Sequence, residues 1–321
     1  MDTSPQTTTE QHTATVSATT PLATATSNLL TLCHQRANLP SFRALLSAWQ
    51  DPLNLGHLQS VALDAFNETS VLRYLVEKGQ DDVVQYLLSY GFDISDLAMA
   101  FALKDARETG NQKMLKVLFE GGWDINRPVN TYCPPAMSLL FDQPHLVEYC
   151  LSLGANPNAR SPSGHSIMQR AVSYASLDMI KQLVQHGATI ADSFLLPHAV
   201  LAHTQVSSRH PSSPPIECRL PVIKYLLDNG AYMDAFYMDS LSPDVPSGDQ
   251  VMFGRMTALH FAIVDGDVKL VRLLLEKGAT IGLKTWSAWK TNGKLVESVD
   301  LARICGQERV IKLLEDWKGQ P

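Results

Sequence analysis

The chain has 321 residues, of which 45 % are apolar, 18 % charged and 7 % aromatic, the fractions of an ordinary soluble protein able to bury a core. The net charge of −6, from 26 basic and 32 acidic side chains, argues against a general polyanion-binding surface. No run approaches the ~18 continuous apolar residues of a membrane helix, and the length exceeds the ~250–300 residues at which single cores stop growing, so composition alone suggests two domains.

Residues 1–27 hold ten Thr and three Ser, and no Lys or Arg occurs before Arg36. A secretory signal needs a basic start with an apolar block, and a mitochondrial presequence needs Arg. The stretch has too few large apolar groups to offset the entropy of ordering it, and it reads as a disordered tail or solvated linker. Residues 28–66 read as an irregular helical cap: amphipathic patterns at Leu29–Ala37 and Phe42–Trp49, broken at Pro40, and a third at Leu58–Phe66. The five cysteines (Cys33, Cys133, Cys150, Cys218 and Cys305) are odd in number and far apart, without zinc-knuckle or redox spacing. Free buried thiols in a reducing compartment are the simplest account, which places the protein in the nucleus or cytoplasm.

From residue 67 one pattern recurs. Val83–Leu88 leads to Gly91, Met114–Phe119 to Gly122, Leu146–Leu151 to Gly154, Met179–Val184 to Gly187, Val222–Leu227 to Gly230, and Leu270–Leu275 to Gly278. A last copy, Val310–Leu314, lacks a Gly in register. Apolar residues at i, i+3 and i+4 predict an amphipathic helix, and the Gly a left-handed C-cap. The cap glycines from Gly91 to Gly187 are 31, 32 and 33 residues apart. A second Gly stands twelve residues before the cap at Gly79, Gly110 and Gly266, marking a turn between two helices. Val71–Val76 also carries the second-helix pattern, just before Val83–Leu88. It is either a first helix with a coincidental match or the remnant of a truncated repeat.

This period, with a Thr-Pro-Leu-His-like helix start at Thr257-Ala258-Leu259-His260-Phe261-Ala262, resembles the ankyrin repeat. Ser166–Ala171 and Val299–Ala302 are looser copies, and Asp124-Ile125-Asn126 and Asn156-Pro157-Asn158 match the family's polar hairpin link. The resemblance covers residues 67–319. It implies an all-α solenoid of six or seven helix-turn-helix units, and a structural role for His260, whose ring would stitch the helix start to the adjacent turn. A solenoid's core grows along its axis, which removes the argument for two domains.

Three insertions depart from the period, near residues 204–217, 233–255 and 284–296. Aromatic and Met side chains at hairpin extensions suit interface anchoring. Trp123, Phe236, Tyr237, Met238, Phe253, Trp286 and Trp289 are therefore the candidate partner-binding residues, against the alternative that they fold back on their own repeats. No phosphate loop or nucleophile elbow is present, and neither His198 with His203 nor Cys33 with His34 has metal-ligand spacing with a third partner. No catalytic, cofactor or metal residues are assigned. The expectation is a non-enzymatic scaffold for a protein partner, without direct nucleic-acid or membrane binding. The chain is similar to small fungal-type ankyrin proteins, which implies a transcription co-regulator working through a DNA-binding partner. A substrate adaptor for ubiquitin ligation or a kinase or phosphatase regulator is the alternative. An enzyme using Ser212, His210 or Asp244 in the insertions is the remote one.

Overall fold

The computed structural model describes residues 28–29, 31–33, 35–47, 71–191, 194–204, 218–237, 255–286, 288–292 and 294–319. The tail, Leu58–Phe66, Ser212, His210 and Asp244, and most of the first two insertions, lie outside them. The chain divides into two compact units, Met1–Ala98 and Met99–Pro321.

In the first unit, α1 (Leu39–Ser47), α2 (Val71–Glu77) and α3 (Asp81–Ser89) are helical, α2 packs on α3, and α1 packs on α3. Pro40 lies in the first turn of α1, where its missing N–H breaks no helical bond; it helps start the helix, and the break expected at Pro40 falls ahead of it, at residues 35–38. The ambiguity at Val71–Val76 resolves: α2 is a first helix and α3 its second. α2 buries Val71, Leu72, Leu75 and Val76, and α3 buries Val83, Val84 and Leu87. Two short helices facing each other across one core carry the same i, i+3, i+4 pattern, so sequence cannot rank them.

The division falls within α4 (Asp96–Thr109), which is followed by α5 (Lys113–Glu120). A 3-10 turn (Ala136–Leu139) precedes α6 (Pro144–Ser152), and α7 (Ile167–Tyr174) precedes α8 (Leu177–Gln185). Then come α9 (Leu195–Thr204) with α10 (Leu220–Asp228), α11 (Ala258–Asp265) with α12 (Val268–Glu276), the four-residue α13 (Ala288–Thr291), and α14 (Ser298–Ile304) with α15 (Glu308–Lys318). The 3-10 turn, α7, α9, α11 and α14 pack in a row, and α12 packs on α15. Central α9 buries every residue from Leu195 to Ala202, as a helix covered on both flanks must.

Left-handed glycines close the pairs as expected. At Gly187 (φ +92°) and Gly278 (φ +97°) the next amide donates back into the helix, Ala188 N to Leu183 O at 2.9 Å and Ala279 N to Leu274 O at 3.0 Å. Helix starts are stitched by side chains. Thr257 N donates to His260 Nδ1 at 3.0 Å, and the Thr257 hydroxyl lies 2.8 Å from the same atom. Nδ1 is thus the acceptor, and Nε2 carries the proton toward Leu283 O at 3.2 Å. At α7 the same capping box is built from Ser and Gln: Ser166 Oγ accepts from Gln169 N at 3.0 Å, and Gln169 Oε1 accepts from Ser166 N at 2.8 Å.

Amide side chains tie successive hairpins. Asn126 donates to Gly154 O (3.2 Å) and accepts from Asn156 N (2.7 Å). Asn158 donates to Gly187 O (2.8 Å) and accepts from Thr189 N (2.9 Å). Asp234 accepts from Thr280 N (3.0 Å) and its hydroxyl (2.6 Å). Each clamp stands four residues after a cap Gly. At the fourth such position Ala191 offers no polar atom, so that rung has no side chain to form it.

Candidate functional site

Within the second unit the row of first helices and the loops ahead of it form a cleft of about 210 Å³, lined by Tyr132, Pro134, His165, Ser166, Gln169, Arg170, Ser173, Tyr174, His198 and Tyr237. The periodicity of α7 builds one wall. Ile167, Met168, Ala171 and Val172 are buried, which turns Arg170, Ser173 and Tyr174 outward. The Arg170 guanidinium lies 5.3 Å from the Tyr174 ring centroid, and its Nε donates to Ser138 O at 3.0 Å. Opposite, Tyr132 rides on a tip fixed by Asn130, whose side-chain oxygen accepts from Tyr132 N (2.9 Å) and Cys133 N (2.8 Å). Tyr132 and Tyr174 are 54 % and 57 % exposed. Two exposed tyrosines on braced backbone are preorganised contact surface, with little ordering entropy left to lose.

The floor is aromatic and uncharged. His198 is buried, its ring 4.3 Å from that of Tyr237, which meets Phe261 edge-on at 5.6 Å. His198 Nδ1 donates to Phe194 O at 2.7 Å, and burial pushes the ring's pKa down to about 4, so it is neutral near pH 7. The lining holds Arg170 and His165 and no carboxylate, although the chain as a whole carries −6.

The residues proposed from sequence are dispersed. Trp123 is buried, with Arg127 stacked 4.6 Å from its ring and its indole Nε1 without a hydrogen bond. Tyr237 is buried in the cleft floor, as above. Phe236 is half-buried under Arg255 at 4.2 Å. Trp286 is half-buried, paired with Arg255 in an antiparallel bridge, and Thr285 pairs likewise with Val296 across the third insertion. Met238, Phe253 and the Trp289 side chain lie outside the described residues. Among the described candidates Tyr237 alone lines the cleft. The cleft also holds Tyr132, Arg170 and Tyr174, which the sequence does not single out. The spacing of 170, 173 and 174 opposite the apolar stripe of α7 was the available signal.

Among the described residues no group of three His, Cys, Asp or Glu is placed to hold a metal ion, and no helix is long and apolar enough to cross a membrane. Residues 255–286 match the ankyrin repeat family model. The matched stretch spans α11, α12 and the hairpin closed by the Arg255–Trp286 bridge. With the helix pairs above, the described residues form an all-α helical repeat fold that contains an ankyrin repeat, a class of protein–protein interaction scaffold. No curated protein matches the chain.

Proposed function

We propose that this protein is a non-enzymatic regulatory adaptor that holds an acidic segment of a protein partner in the cleft between Tyr132 and Tyr174. The carrying observation is two exposed, braced tyrosines flanking a cationic, carboxylate-free cleft on a net acidic chain. Aromatic side chains and Arg are the residues that anchor interfaces, and charge complementarity selects the partner. On this reading the protein is a transcription co-regulator that acts through a DNA-binding partner, in the nucleus or cytoplasm and with no DNA affinity of its own.

The test is affinity capture by the full chain, wild type against Tyr174→Ala, with partners quantified by mass spectrometry. Tyr174 is exposed and its removal leaves the core intact, so the variant is expected to fold and to lose specific partners by about 10- to 100-fold in affinity. Undiminished capture by Tyr174→Ala contradicts the assignment of the cleft. Salt-resistant DNA binding by the purified protein contradicts the indirect mode.

A further inference from the structure

A second cluster of reactive side chains lies away from the cleft chemistry, where three elements of the second unit meet. Cys218 precedes α10, His203 stands in the last turn of α9, and Asp267 caps α12. Cys218 Sγ is 3.9 Å from His203 Nδ1, and His203 Nε2 is 3.6 Å from Asp267 Oδ2. The other carboxylate oxygen of Asp267 accepts from Lys269 N and Leu270 N, both at 3.0 Å, which fixes the acid at the helix start. The thiol is exposed, while the imidazole and carboxylate beside it are mostly covered, at 18 % and 31 % side-chain exposure. This is the order of groups that activates a nucleophile: thiol, base, and an acid that orients the base.

We propose that Cys218 is a reactive thiol, activated by His203 and Asp267, and that it is a site of modification by thiol–disulfide exchange. His203 Nδ1 takes the thiol proton, and Asp267 holds the imidazolium through Nε2. The sulfur attacks one sulfur of a small disulfide. The new bond is Cys218 S–S–R, the bond broken is the disulfide's own, and the second half leaves as a thiolate. The small disulfide is the oxidant, so electrons balance without another reagent.

The remaining thiols provide the contrast. Burial pushes Cys33 and Cys150 up to about 12 and raises Cys133 and Cys305 as well, which keeps all four in the unreactive thiol form. Asp265, its own carboxyl raised by burial and by Asp267, adds negative charge around His203. A neutral disulfide is therefore the suitable probe.

The experiment treats the native full chain with 4,4′-dithiodipyridine, follows thiopyridone release, and maps the labelled peptide by mass. One thiol should react at least about tenfold faster than the others, and it should be Cys218. His203→Gln, similar in size, should slow that phase by about fivefold or more, while thermal melting is unchanged. Asp267→Asn keeps the cap acceptor and should slow it less. A Cys218 rate no faster than that of an unstructured cysteine peptide overturns the proposal, as does a rate untouched by both substitutions. If His203→Gln unfolds the chain, Asp267→Asn alone decides.

Discussion

His260 is the residue where sequence signature, geometry and titration meet. Its Nδ1 accepts from Thr257, and its Nε2 donates to Leu283 O, an arrangement open only to the neutral ring. Burial pushes its pKa, like that of His198, down to about 4. The unfolded chain binds a proton at the ordinary value of 6.5 while the native ring stays neutral, so stability is complete above pH 6.5 and declines as pH falls toward 4. His260→Gln removes the titration but retains an acceptor for Thr257 N, reproducing the Ser166–Gln169 box that serves α7. Urea unfolding at pH 7.5 and pH 5 should show the variant weaker by about 1 kcal/mol at the higher pH, yet losing less stability between the two. Parallel losses in both proteins contradict a buried neutral His260.

At the scale of elements, helices and hairpins obey different rules, and this decides what the sequence made legible. Helix pairs were legible because amphipathic spacing and left-handed glycines are local signals. Even so, α2 and α3 needed the fold to rank them, since both bury one face in a shared core. The hairpin clamps were half legible: Asp124-Ile125-Asn126 and Asn156-Pro157-Asn158 stood out as links, but their partners lie a repeat away. The cleft was least legible. Tyr132 and Tyr174 are 42 positions apart, and the packing of the 3-10 turn on α7 brings the loop of one and the helix of the other to one site. The aromatics favoured from sequence include Trp123 and Tyr237, which fill space in the protein's own packing because large rings near hairpins are also good local fillers. Asn158 gives the test of the clamp, since it alone joins the Gly187 carbonyl to Thr189. Asn158→Ala should cost about 1–2 kcal/mol in urea unfolding. Ala191→Ser, at the rung with no side-chain clamp, should change stability by under about 0.5 kcal/mol. Equal effects contradict the ladder.

For the whole molecule, a repeat fold accounts for the length, the glycine register and the absence of a recognisable catalytic motif in the sequence. Within the second unit each helix pair buries its apolar face against a neighbouring pair, so its stability is a sum over pairs and interfaces, and surface positions on the first-helix row are left available for recognition. The −6 charge gives this surface its meaning. If the proposed function holds, a cleft lined by Arg170 without a carboxylate selects acidic segments over basic ones. The direct measurement is selection of short random peptides on the immobilised full chain, followed by affinity determination against wild type and Tyr174→Ala. The account predicts that enriched peptides are rich in Asp and Glu and bind Tyr174→Ala at least about tenfold more weakly. Enrichment of basic or purely apolar peptides, or binding that ignores Tyr174, would contradict it.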